Sequence, residues 1–112
     1  MIFARITLRP SAQGGRSGPI LPVRDFGCPV FFKDIPALAA HGYDCRLRVR
    51  QLGKAIDPGA TAENVPIAFL SPAEVLPHLR VGTKFDLWEG RPIGEGEVTA
   101  LEQEAGETER RQ

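Results

Sequence analysis

The clearest hydrophobic pattern lies at residues 44–50, Asp-Cys-Arg-Leu-Arg-Val-Arg, where apolar and cationic positions alternate. Cys45, Leu47 and Val49 fall on one face and Arg46, Arg48 and Arg50 on the other, the period of a half-buried β-strand. Residues 2–8 repeat the pattern: Ile2, Ala4, Ile6 and Leu8 form one face, Phe3, Arg5 and Thr7 the other. Residues 30–32, 65–70, 85–87 and 93–101 supply further short apolar runs, each predicted to be a strand. Pro66 within the 65–70 run calls for an edge or a bulge, because proline cannot donate to a ladder. A Gly/Ser/Pro-rich stretch at 9–22 predicts a long loop, and Asp57-Pro58-Gly59 a turn. Residues 36–43 read as one helical turn or as a loop folded over a barrel end.

One short helix is expected after Ser71, with Pro72 at its first position and Glu74 three residues past the cap. Pro77 limits its length. Six or seven short strands with almost no helix point to an all-β barrel or sandwich. Gly94 and Gly96 share one face of the last strand, where missing side chains allow a sharp bend or a close approach. Phe31, Phe69 and Phe85 are expected in the core. Phe26, Tyr43 and Trp88 are the aromatics expected to be partly exposed.

At 112 residues, 42% hydrophobic and 25% charged, the chain has the composition of one soluble domain. The expected division is a barrel over residues 1–101 and a polar, disordered tail over 102–112. Formal net charge is zero, which excludes a bulk field for nucleic acid or membrane. Residues 1–56 nevertheless carry nine Lys/Arg against three Asp/Glu, a net of +6, and residues 57–112 five against eleven, a net of −6. Either the two halves neutralise each other across a sheet or the surface is bipolar. No run approaches the roughly 20 apolar residues of a membrane span, so a cytoplasmic address is expected.

Cys28 and Cys45 lack any metal-ligand spacing and read as small buried apolar residues rather than a disulfide, a metal pair or a nucleophile. His41 and His78 have no second ligand at a metal-binding spacing. His41, Asp44 and Cys45 do not converge, because adjacent residues on a strand face opposite ways. No catalytic constellation, cofactor or metal is therefore expected. The candidate binding residues are Arg46, Arg48 and Arg50, extended by Lys54 and Arg24. On a strand their side chains would stand roughly 7 Å apart, a spacing suited to successive phosphates of a structured RNA. The alternative is a solvated face paired with carboxylates such as Glu95 or Glu97. Trp88, at a hairpin end, is a candidate interface anchor.

Taken in order, Gly14-Gly15-Arg16, Asp57-Pro58-Gly59, "VPIAFLSP" at 65–72 and "LRVGTKFDLWEGRPIGEGEV" at 79–98 resemble the third domain of elongation factor Tu and related translational GTPases. Phe85, Leu87, Glu89, Gly90, Arg91, Gly94, Gly96 and Val98 stand at matching places, and the likeness extends over most of residues 3–101. It implies a small closed six-stranded antiparallel β-barrel. It also implies partner surfaces, since that barrel contacts the GTPase domain, the T-arm of aminoacyl-tRNA and the exchange factor. Of those contacts only Gly14, Gly15 and Arg16 carry over, so Arg16 joins the candidates. No Gly-x-x-x-x-Gly-Lys-Ser/Thr is present, so no nucleotide is expected. The Gly-Gly-Arg loop continues Ser17-Gly18-Pro19 where the family has His-Thr-Pro. The expected function is a stand-alone, non-catalytic module that binds a cytosolic protein, with structured-RNA binding as the alternative.

Overall fold

The computed structural model describes residues 1–101; the expected polar tail at 102–112 lies outside them. Six strands form the fold: β1 (Ile2–Leu8), β2 (Phe26–Phe31), β3 (Tyr43–Leu47), β4 (Thr61–Phe69), β5 (Lys84–Trp88) and β6 (Pro92–Leu101). They close into an antiparallel barrel in the order β1-β4-β3-β2-β5-β6. Two single-turn helices interrupt them, α1 (Val49–Leu52) and α2 (Pro72–Val75). The barrel is all-β and six-stranded, as the resemblance implies.

Alternation decides the interior. Ile2, Ala4, Ile6 and Leu8 of β1 are all buried, and so are Cys45 and Leu47 of β3. Phe32 sits at the centre, fully buried, with the rings of Phe85, Phe69 and Tyr43 at 5.7, 6.1 and 6.4 Å. Two aromatic expectations are corrected here. Phe31 faces outward, because Val30 and Phe32 on either side of it take the interior, and Tyr43 is buried rather than partly exposed.

Gly94 and Gly96 lie on the inner face of β6, where aromatic and aliphatic groups crowd them. A Cβ on Gly96 would stand 2.4 Å from Cζ of Phe85 and 2.9 Å from Cδ1 of Ile6. A Cβ on Gly94 would stand 2.6 Å from the carbonyl oxygen of Thr7. Close approach of β1 and β5 to β6 thus depends on the two bare positions.

The strand predicted through Arg50 stops at Leu47. Val49 and Leu52 turn inward at helical spacing, and Gly53, at φ +81°, closes the turn with its N–H on the Val49 carbonyl. Val49 is buried in either conformation, so a period of two and a period of three read alike at that point. Pro66 lies next to an irregularity rather than at an edge. Asn64 takes φ +55° and the β1–β4 register shifts between Ala4 and Ile6, while β4 is paired on both sides. Residues 36–41 form turns that bury Leu38, not a regular helix. Ser71 precedes α2 as expected, but its hydroxyl makes no capping bond.

Among the described residues, four of the five ion pairs join the basic first half to the acidic second half: Arg5–Glu63, Arg5–Glu97, Arg16–Glu89 and Lys33–Asp86. Arg5, Arg16 and Lys33 thus find partners across the two halves, which neutralises part of the charge asymmetry. No helix among the described residues is long and apolar enough to cross a membrane.

Candidate functional site

Strand pairing is incomplete at the start of β2. Among the described residues, β2 pairs with β5 only at Val30 and Phe31, whereas it pairs with β3 from Phe26 to Val30. The first half of β2 therefore has one neighbour, and the long 9–25 loop covers its other side. Ile20 anchors that loop through a two-bond bridge to Ile56, each hydrogen bond 2.9 Å.

Arg16 and Arg91 fasten the loop to the β5–β6 hairpin from opposite directions. The Arg16 Nη1 donates to both carboxylate oxygens of Glu89, at 2.7 and 2.8 Å. Its Nε donates to the Gly18 carbonyl at 3.3 Å, and its guanidinium lies 5.0 Å from the Phe26 ring centre. Arg91 returns the contact, donating from Nε to the Gly14 carbonyl at 2.7 Å and from Nη2 to that of Gly15 at 2.9 Å. Gly15 must lack a side chain, since a Cβ would stand 2.1 Å from the carbonyl oxygen of Arg9. The two sequence motifs Gly-Gly-Arg and Glu-Gly-Arg are halves of one clamp.

Beside the clamp runs a groove of about 260 Å³ lined by Arg16, Pro19, Ile20, Leu21, Val23, Arg24, Asp25, Phe26 and Glu89. Leu21 is 52% and Val23 73% exposed, placing two large apolar side chains at its rim. Asp25 closes one flank. Its Oδ2 accepts from Arg48 Nε at 2.7 Å and its Oδ1 from the Arg50 backbone N–H at 3.4 Å. The carboxylate thus neutralises Arg48 and accepts from one free N–H of the α1 turn.

The candidate arginines consequently do not stand in a row. Arg46 is on β3, with Nη1 donating to the Cys45 carbonyl at 3.0 Å and its guanidinium lying over Gly27, its register partner. Its other cross-strand neighbour is Ala68, so neither adjacent strand offers it a carboxylate. Glu95 and Glu97 belong to β6, which pairs with β1 and β5 rather than β3. Arg48 precedes α1 in ion-pairing distance of Asp25, Arg50 lies within α1, and Lys54 follows it. Among the described residues, no ion pair holds Arg24, Arg46, Arg50 or Lys54, and all four are exposed.

Trp88 lies apart from them, half-buried and tilted against Phe31 at 5.1 Å. Nearby, the Lys33 ammonium is held above its ordinary pKa by its hydrogen bond to Asp86 and that carboxylate's charge. Of the three aromatics expected to be partly exposed, Phe26 and Trp88 are half-buried, with Arg16 over one face of Phe26 and Phe31 tilted against Trp88, while Tyr43 is buried. His41 stacks on Tyr43 at 4.5 Å and donates from Nδ1 to the Gly42 carbonyl at 3.0 Å. Asp44 is exposed and Cys45 buried, as their opposite facing requires.

The sequence reading missed Leu21, Val23 and Asp25 as contributors to a surface. Pro22 separates the apolar pair in a stretch too short for any periodicity, so only the clamp and the gap in β2 pairing bring these residues together. No protein-family model matches the chain. No curated protein matches it either.

Proposed function

We propose that the chain is a non-catalytic binding module for a cytosolic protein, built like the third domain, a small barrel, of elongation factor Tu. Its binding face is the groove rimmed by Leu21 and Val23. The observation that carries this reading is the exposure of those two side chains beside a rigid clamp. Apolar groups held at the edge of a concave surface gain most from burial against another protein. Arg24 lines the groove and favours a partner with carboxylates around an apolar anchor. Arg16 serves as the wall of the face, and Trp88 lies outside it.

Structured-RNA binding is the second reading, favoured by the exposed cations Arg24, Arg46, Arg50 and Lys54. It relies chiefly on phosphate contacts, because Tyr43 is buried and Arg16 and Phe31 already pack on Phe26 and Trp88. The two readings differ in salt response and in which residues matter. Full-length protein is used to capture partners from native cytosol, with and without ribonuclease, and recovered partners are titrated against salt. Protein binding predicts that Leu21→Ser/Val23→Ser abolishes capture, that ribonuclease has no effect, and that salt changes affinity little. Loss of capture on ribonuclease treatment, with a salt slope that falls by about one per Arg→Ala change, overturns it in favour of RNA.

A further inference from the structure

We propose that Cys28 and Cys45 form an oxidisable dithiol, which a small-molecule disulfide converts into an intramolecular cross-strand disulfide stapling β2 to β3. This inference does not depend on the binding reading above. The two residues are direct register partners on antiparallel strands, and both side chains face the interior as free thiols. Directly opposed residues have Cβ atoms about 4.5–5.5 Å apart and Cα atoms about 4.5–5.5 Å apart. A disulfide needs Cβ atoms at about 3.5–4.5 Å and Cα atoms at about 4.4–6.8 Å. The Cα range of such a pair lies inside the disulfide window, and its Cβ range needs closing by about 1 Å.

Cys45 is pushed well above its ordinary pKa, first by its hydrogen bond with the Cys28 thiol and then by burial. That makes Cys45 a poor initial nucleophile and leaves Cys28 to start the exchange. Cys28 lies in the half of β2 that has no β5 partner, so local separation there breaks pairing on one side only.

The chemistry balances with a disulfide as oxidant. The Cys28 thiolate attacks one sulfur of oxidised glutathione and releases one glutathione thiolate, which takes up the proton that Cys28 lost. The Cys45 thiolate then attacks Cys28 in the mixed disulfide and releases the second glutathione. The protein loses two hydrogens and two electrons, and the oxidant is reduced to two thiols. The product ties the 29–44 segment into a closed loop beneath Arg46 and Gly27.

The test is incubation of reduced, folded full chain with oxidised glutathione, followed by denaturation, alkylation and intact-mass measurement. The expected product is monomeric, lighter by two hydrogens and unalkylated, and it melts at a higher temperature than the reduced form. Cys45→Ala is expected to stop at a glutathione adduct on Cys28, and Cys28→Ala to form its adduct more slowly. Recovery of wild type with both cysteines alkylated, or only as glutathione adducts or intermolecular dimers, overturns the proposal. The wild-type measurement stands even if either variant fails to fold.

Discussion

Gly96→Ala tests the interior of the barrel at its tightest point. The added methyl group would sit 2.4 and 2.5 Å from the Cζ and Cε2 atoms of Phe85 and 2.9 Å from Cδ1 of Ile6. Real Cβ contacts do not approach so closely, so something must shift. Phe85 has little freedom to yield, being 3% exposed with its ring 5.7 Å from that of Phe32. Overpacking of this kind costs about 1–3 kcal/mol. At ~4 °C per kcal/mol for a barrel of roughly 100 residues, the melting temperature should fall by about 4–12 °C. Urea unfolding should give a lower midpoint with an unchanged slope.

A double-mutant cycle identifies the cause. Phe85→Leu alone leaves a cavity and should itself destabilise by about 1–2 kcal/mol. Combined with Gly96→Ala, the methyl group fills part of that space. The pair should then be more stable than additivity predicts, by at least ~0.5 kcal/mol. Gly90→Ala is the contrasting control. Gly90 has φ +75° and open space around it, so its cost of about 1–2 kcal/mol is conformational, and Gly90→Asn should recover part of it. The packing argument fails if Gly96→Ala costs less than ~0.5 kcal/mol, or if the cycle is additive within that margin.

Other outcomes follow from the clamp, the thiols and the basic face. Arg91→Ala frees the Gly14 and Gly15 carbonyls and should destabilise by about 1 kcal/mol, with faster amide exchange across residues 9–22 as the more sensitive readout; unchanged exchange would remove the clamp. The raised pKa of Cys45 keeps its thiol protonated in the folded chain while the unfolded chain ionises near its ordinary value of 9.0. The stability it contributes is therefore intact below pH 9.0 and lost as pH rises beyond it, at a limiting slope of about 1.4 kcal/mol per pH unit. Urea titrations should show a shallower alkaline decline for Cys45→Ala, and parallel declines would contradict the assignment. Asp25→Ala strips Arg48 of its partner and should lower stability by about 0.5–1 kcal/mol at this half-exposed site. Arg46→Ala, which breaks no ion pair among the described residues, should stay within ±0.5 kcal/mol of wild type; equal losses for both would show that the pairing does not matter.

Strand existence was legible wherever alternation ran against one consistent neighbour, as in residues 2–8, whose predicted bounds match β1. It failed where two periods share residues. Val49 satisfies both the strand pattern from Cys45 and the helical spacing to Leu52, and the arginine row depended on the first. Only Gly53, in the left-handed region, marks the change. The candidate site was legible in fragments. Arg16 was singled out, but its work is structural, because Glu89, the Gly18 and Pro19 carbonyls and the Phe26 ring together engage the guanidinium.

The sequence alone determined that this chain is built from short strands with bare positions at Gly94 and Gly96, because side-chain alternation and the absence of Cβ are local properties. Tertiary structure decided which strands became neighbours, and with them every surface. Glu95 and Glu97 meet β1 and β5 instead of the arginines of β3. Cys28 stands opposite Cys45, and the Gly-Gly-Arg loop reaches a hairpin more than 70 residues away to frame a groove. Pairing order is fixed by how six apolar faces pack around a shared interior, and no single segment carries that information.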